Sequence, residues 1–169
     1  MAISSSANTA SALWYCGPGQ VEIRREQIAP PGTGEVRVKT LYSAISRGTE
    51  SLVFAGRVPA SEFERMRAPF MAGDFPFPVK YGYAAVGRVE NGGGALQGKD
   101  IFALFPHQTA FNIPASAAVA LPEDVPPRRA VLAAVGVLAL AAAGWWALQG
   151  RRITGDLDPD PIAVMPSRV

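Results

Sequence analysis

The chain has 169 residues, enough for one domain with a tail and too few for two α/β domains of ordinary size. With 49% hydrophobic and 18% charged residues it is a folding chain rather than a disordered one. Sixteen Lys and Arg against fourteen Asp and Glu leave a net charge of +2, which excludes a surface built for nucleic acid, and a single Cys and single His exclude a disulfide framework or a self-contained Cys/His zinc site.

Residues 1–11, MAISSSANTAS, read as a disordered leader, with neither the positive start nor the apolar stretch of a secretory signal. Residues 12–126 read as short strands cut by turns. Ala12 to Cys16 is the first predicted strand, with Cys16 as a small buried residue in an apolar run, and Gly17-Pro18-Gly19 turns the chain. Gln20 to Glu26 alternates, which places Val21 and Ile23 inward and Glu22 and Arg24 outward. After the Pro30–Gly34 loop, Glu35 to Ser43 alternates again, with Val36 and Val38 inward and Arg37 and Lys39 outward. Ser46 to Phe54 is a predicted short helix with Ser46 near its cap, and Ser61 to Met66 a further helical turn.

Pro76-Phe77-Pro78 is an extended loop, and Val79 to Glu90 one long strand whose Gly82, Ala84, Ala85 and Gly87 admit a second backbone at close range. Lys99 to Leu104 and Thr109 to Ile113 are predicted to pair across the turn at 105–108, and Ala117 to Leu121 is the last strand. Pro122, Pro126 and Pro127 close the module and open a helix.

From Ala130 to Leu148 no side chain is charged, and nineteen residues make a helix of about 28 Å, close to the thickness of a bilayer core. Arginines flank both ends and Trp145-Trp146 sit near one boundary. Eight alanines make the apolar drive modest, so two readings of the apolar helix 127–150 stand: a membrane span, or a helix buried between domains or against a protein partner through 130–148. Residues 151–169, with three prolines, read as an unstructured tail.

The order of the pieces is more specific than any one of them. A Glu-Val-Arg-Val-Lys strand (35–39) follows a Pro-Gly loop, and Ile-Ser-Arg-Gly-Thr-Glu (45–50) comes next. Gly-Tyr-Ala-Ala-Val-Gly-Arg-Val (82–89) precedes Gly-Lys-Asp-Ile-Phe (98–102), Pro106-His107 and the proline-bounded exit at 121–126. Over residues 12–134 this resembles the N-terminal GroES-like domain of the medium-chain dehydrogenase/reductase family, the zinc-type alcohol dehydrogenase relatives. The Ser-Arg-Gly-Thr-Glu form is similar to the bacteriochlorophyllide dehydrogenase-like subgroup. The resemblance implies a mainly β, partly open barrel with short helices, followed by the long apolar helix. It also implies a small-molecule substrate and an NAD(P) cofactor in complete relatives.

Carried over by residue, the resemblance puts Ser46 where zinc-dependent members have a cysteine ligand, and Tyr83-Ala84 where they have His-Glu. Both catalytic and structural zinc are therefore expected to be absent. Glu50 matches an acidic residue that supports the metal site in relatives, and here pairs or caps locally. Ser46 and Tyr83 are candidates to hydrogen-bond a substrate oxygen, and Arg47 to reach a cofactor phosphate rather than lie solvated. His107, the only imidazole, is either a proton relay beside a substrate pocket or a turn histidine satisfied by the backbone.

No Gly-x-Gly-x-x-Gly turn between a strand and a helix is present, so this chain alone is expected to bind no dinucleotide. The change of composition near residue 134 is the pattern of a truncated or frame-shifted product. The functional expectation is thus the substrate domain of an NAD(P)-dependent oxidoreductase, inactive by itself and cytoplasmic. The alternative is a membrane-anchored or partner-dependent β module without catalysis, held through 130–148.

Overall fold

The computed structural model describes residues 8–92 and 94–132. The expectations for residues 1–7, for most of the apolar segment 127–150 and for the tail 151–169 lie outside the described residues. Among the described residues no helix is long and apolar enough to cross a membrane.

The described residues are mainly β, with nine strands in two sheets and short helices between them. The first sheet has the order β2-β1-β5-β4, from β1 (Thr9–Gly17), β2 (Gln20–Gln27), β4 (Ala72–Gly73) and β5 (Val79–Lys80). The second has the order β8-β3-β6-β7-β9, from β3 (Glu35–Ser43), β6 (Ala85–Asn91), β7 (Asp100–Ala103), β8 (Ala110–Pro114) and β9 (Val119–Ala120). The one α-helix fully within the described residues, α1, spans Thr49–Phe54. A further helix opens at Pro127 and is described to residue 132.

The first strand reaches back to Thr9, into the stretch expected to be leader. β1 and β2 form a hairpin about Pro18-Gly19, with Gly19 at φ +71°, a left-handed conformation that glycine takes without a Cβ clash. The alternation in β2 misleads about burial. Val21 and Ile23 are 48% and 68% exposed, because β2 is an edge strand and nothing among the described residues covers that face.

In β3 Val36 and Val38 are fully buried as expected, but Arg37, expected outward, is buried as well. The pairing of β3 with β6 slips by one residue between Arg37 and Val38, which breaks strict alternation. The buried guanidinium is satisfied: it donates to Asn112 Oδ1 at 2.6 Å and to the Ala29 carbonyl at 2.6 Å.

The main core lies under the second sheet. Val36, Val38, Val89, Ile101, Phe111 and Ile113 pack together, and Phe105 stacks on Phe111 with ring centroids 3.9 Å apart. Gly87 permits the tight β3–β6 contact, since a Cβ there would stand 2.5 Å from the Lys39 carbonyl oxygen. Beneath the first sheet a second cluster gathers Tyr15, Val53, Val79 and Tyr81. Ala130 and Val131 of the helix from Pro127 cover Ala84 and Val86 in a third.

Three other expectations are corrected. The long strand over 79–90 is two short ones, β5 and β6, broken at 81–84, where Gly82 adopts φ +136°. The segments 99–104 and 109–113 do not pair with each other. β7 lies between β6 and β9, while β8 joins the far side of β3. The helix after residue 45 starts at Thr49, with Gly48 as its cap and no side-chain capping bond.

The two sheets are sewn together by the loop after β7. The Leu13 N–H donates to the His107 carbonyl at 2.9 Å, Thr109 N–H to the Ser11 carbonyl at 2.9 Å, and Thr40 N–H to the Thr109 carbonyl at 2.9 Å. The backbone of residues 107–109 is thereby fixed between β1 and β3.

Phe111→Ala removes the ring stacked in the main core and is expected to cost about 3–5 kcal/mol of folding stability, read by denaturant unfolding.

Candidate functional site

Glu50 lies in the first turn of α1 with its side chain fully out of solvent. A carboxylate in that position must be hydrogen-bonded on both oxygens to be tolerated. Oε1 is bonded to His107 Nε2 and accepts from the Tyr15 hydroxyl at 3.3 Å, and Oε2 accepts the Ser46 backbone N–H at 2.5 Å. Four parts of the chain thus converge on one carboxylate: β1, the turn before α1, α1 itself and the 107–109 loop.

His107 is 7% exposed. Gly82 backs directly onto its ring: a Cβ at that position would stand 2.9 Å from Nε2 and 3.0 Å from Cδ2. The break between β5 and β6 therefore has a steric cause, since the backbone of 81–84 bends around the imidazole. The bond to Glu50 puts the proton of a neutral ring on Nε2, which leaves Nδ1 as an acceptor. Nδ1 is buried and has no hydrogen-bond partner in the protein.

The next residue is anchored as firmly. Gln108 Oε1 accepts from Lys80 Nζ at 2.8 Å, and its amide donates to the Ala110 carbonyl at 2.8 Å. Lys80 Nζ also donates to Glu26 at 2.6 Å, and Glu26 accepts the Trp14 indole N–H at 2.6 Å. His107 thus sits on a loop held by side chains as well as by backbone.

An open cleft of about 530 Å³ lies beside this loop. Leu13, Ile23, Leu41, Tyr42 and Ile45 give it apolar walls, and His107, Gln108 and Thr109 close one side. Ile23, Leu41, Tyr42 and Ile45 are between 39% and 68% exposed, a concentration of apolar surface suited to a largely apolar small molecule.

Of the sequence candidates, His107 and Ser46 are brought together, but through the Ser46 backbone rather than its hydroxyl. The expectation of a turn histidine satisfied by backbone does not hold, since the ring bonds a carboxylate. Tyr83 is elsewhere: half-buried, edge-on to Tyr81 with centroids 6.2 Å apart, and not among the cleft walls. Arg47 is exposed on the turn before α1. Cys16 is half-buried, with Sγ 3.2 Å from Arg24 Nη2, and desolvation holds its thiol above the ordinary value.

Tyr15, Gln108 and Lys80 carry no signal of their place in the sequence. They stand 35 residues from Glu50 in the first case and 28 from each other in the second, and no local spacing signals such pairs.

The sequence matches no family description and no curated protein. Solved structures do match. A short chain alcohol dehydrogenase from E. coli CFT073, solved with NADH, aligns at TM-score 0.53 and 19% identity over 74% of this chain and 42% of that one. A putative NADPH:quinone reductase from Bacillus thuringiensis aligns at 0.51 and 21% over 73% and 36%. A probable oxidoreductase from Mycobacterium abscessus aligns at 0.53 and 16% over 73% and 38%. The described residues share the fold of the matching part of these oxidoreductase structures. The chain spans less than half the length of these structures.

Zinc, which the resemblance implies for one branch of such enzymes, does not fit the residues around Glu50 and His107. Among the described residues no three His, Cys, Asp or Glu side chains come together to hold a metal. Glu50 has both oxygens committed, and His107 has its Nε2 committed to Glu50.

Removing the carboxylate strands three polar partners in a dry interior. Glu50→Ala is expected to cost about 3–5 kcal/mol, against about 1 kcal/mol for Tyr15→Phe, both read by denaturant unfolding at neutral pH.

Alkaline pH gives a second check. Burial, and next the Glu50 carboxylate, push the Tyr15 phenol above its ordinary 10.0, and burial does the same for Tyr81. A raised folded-state value means the neutral phenols stabilise the fold fully below pH 10 and lose that contribution as pH climbs beyond it. Unfolding free energy is expected to fall above pH 10, and Tyr15→Phe to make that fall shallower.

Proposed function

We propose that this chain provides the substrate-side domain of an NAD(P)-dependent oxidoreductase acting on a small, largely apolar molecule without zinc. The observation that carries the reading is His107, bonded to the buried Glu50, in the wall of an apolar cleft. The fold shared with dehydrogenases and quinone reductases supports it. In this reading His107 is the proton relay beside the cleft, with Nδ1 the ring nitrogen left to accept a proton. Arg47, exposed on the turn before α1, is free to meet a nucleotide phosphate supplied from outside the described residues. Ser46 contributes its backbone to the site, and the hydroxyl of Tyr83 is left to a lesser, supporting role.

The described residues contain no glycine-rich strand–turn–helix that grips a pyrophosphate. We therefore expect this chain alone to bind neither NADH nor NADPH and to turn over no alcohol or quinone. Isothermal titration checks this: no heat of binding is expected at micromolar protein, and a stoichiometric isotherm with a micromolar Kd contradicts the reading.

A second reading is a β module without activity of its own, attached to a membrane or a protein partner through residues 130–148. The uncharged run of that segment favours it. Carbonate extraction separates the two. Under the first reading the protein leaves the membrane fraction, and under the second, in its membrane form, it stays.

A further inference from the structure

We propose that β2 is a self-association edge: it pairs antiparallel with β2 of a second copy of this chain, about a twofold axis at Ile23. An edge strand leaves a row of N–H and C=O groups open, and folded proteins blunt such rows with short strands, prolines or bulges. The other sheet edges follow that rule. β4 and β9 have two residues each, and β8 has five and ends on Pro114. β2 does not follow it. It runs for eight residues without a proline, and among the described residues its only strand partner is β1. The one irregularity in that hairpin lies between Tyr15 and Gly17, on the β1 side. Val21 and Ile23 stand exposed together on one face of the open edge.

Charge selects the occupant and the register. Directly opposed residues of an antiparallel pair share a face, so a twofold axis that continues the sheet must fall at a residue of β2 and not between two. At Glu22 the axis sets Glu22 against itself. At Arg24 it sets Arg24 against itself and Glu22 against Glu26. Both place like charges opposite each other, which is unfavourable. At Ile23 no like charges meet: Glu22 opposes Arg24 of the second copy and Arg24 opposes its Glu22, while Gln20 opposes Glu26, Val21 opposes Arg25 and Ile23 opposes Ile23. Within one copy Glu22 and Arg24 already pair at 2.9 Å, with side chains 57% and 38% exposed, so both are accessible to a partner. A strand that complements itself in this way presents the same patch on both sides of an isologous dimer. Ile23 also lines the cleft, so the second copy's Ile23, about 5 Å away across the axis, extends its apolar wall.

Sedimentation equilibrium of the full-length chain at high micromolar concentration is expected to give twice the chain mass. Glu22→Arg sets arginines against Arg24 of the second copy and is expected to weaken association by more than about tenfold. Arg24→Glu does the same with glutamates. An equimolar mixture of the two variants restores Glu–Arg pairs across the axis, so the dimer is expected to return, which also shows both variants folded. Cross-linking supplies an independent arm, in a Cys16→Ser background. Ile23→Cys is expected to form an intermolecular disulfide under mild oxidation, since opposed Cα atoms lie about 5 Å apart, while Arg25→Cys, four residues out of step with its own copy, is not. Any of four results overturns the proposal: a monomeric chain; an assembly whose mass Glu22→Arg leaves unchanged, such as one held through residues 130–148 or by another surface; a mixture that stays monomeric; or no disulfide in Ile23→Cys. None of these measurements involves nucleotide, so they stand or fall separately from the dinucleotide titration.

Discussion

A single buried carboxylate ties distant parts of this domain together. Glu50 carries its charge where water does not reach, and that is tolerable only because three donors from distant parts of the chain converge on it. The consequences run outward. His107 must lie at the end of its loop, Gly82 must lack a side chain, the strand over 79–90 must break, and α1 must begin where its first turn meets the ring. The backbone bonds from Leu13 and Thr40 to the 107–109 loop hold that arrangement against both sheets.

Much of the scaffold is legible in the sequence because it obeys local rules. Alternation identifies β2 and β3, the Pro18-Gly19 turn closes the first hairpin, and Gly87 stands where two strands approach. The failures have physical causes. Period two reveals a strand but not which face is covered, so Val21 and Ile23 lie exposed on an edge. A one-residue slip in the β3–β6 ladder buries Arg37. The stretch at 79–90 reads as one strand because the ring that bends it comes from a residue far along the chain.

The site is legible in part. His107 stands out as the sole imidazole and Glu50 through the resemblance to known dehydrogenases, but their pairing spans 57 residues and is a property of the fold. Ser46 and Tyr83 share one motif logic yet separate in space, Ser46 beside Glu50 and Tyr83 on the Tyr81 cluster. The cleft follows from the same topology. It lies where the end of β3 passes the β1–β2 hairpin, and its apolar walls leave the polar work to the 107–109 loop.

The central claim is that Glu50 and His107 act as one energetic unit. A double-mutant cycle with Glu50→Ala and His107→Ala, each and together, measured by denaturant unfolding, tests it most directly. A coupling free energy of about 2 kcal/mol is expected for a buried, charge-assisted pair. Losses that add to within about 0.5 kcal/mol would contradict it, and would mean that the two residues are neighbours without being partners.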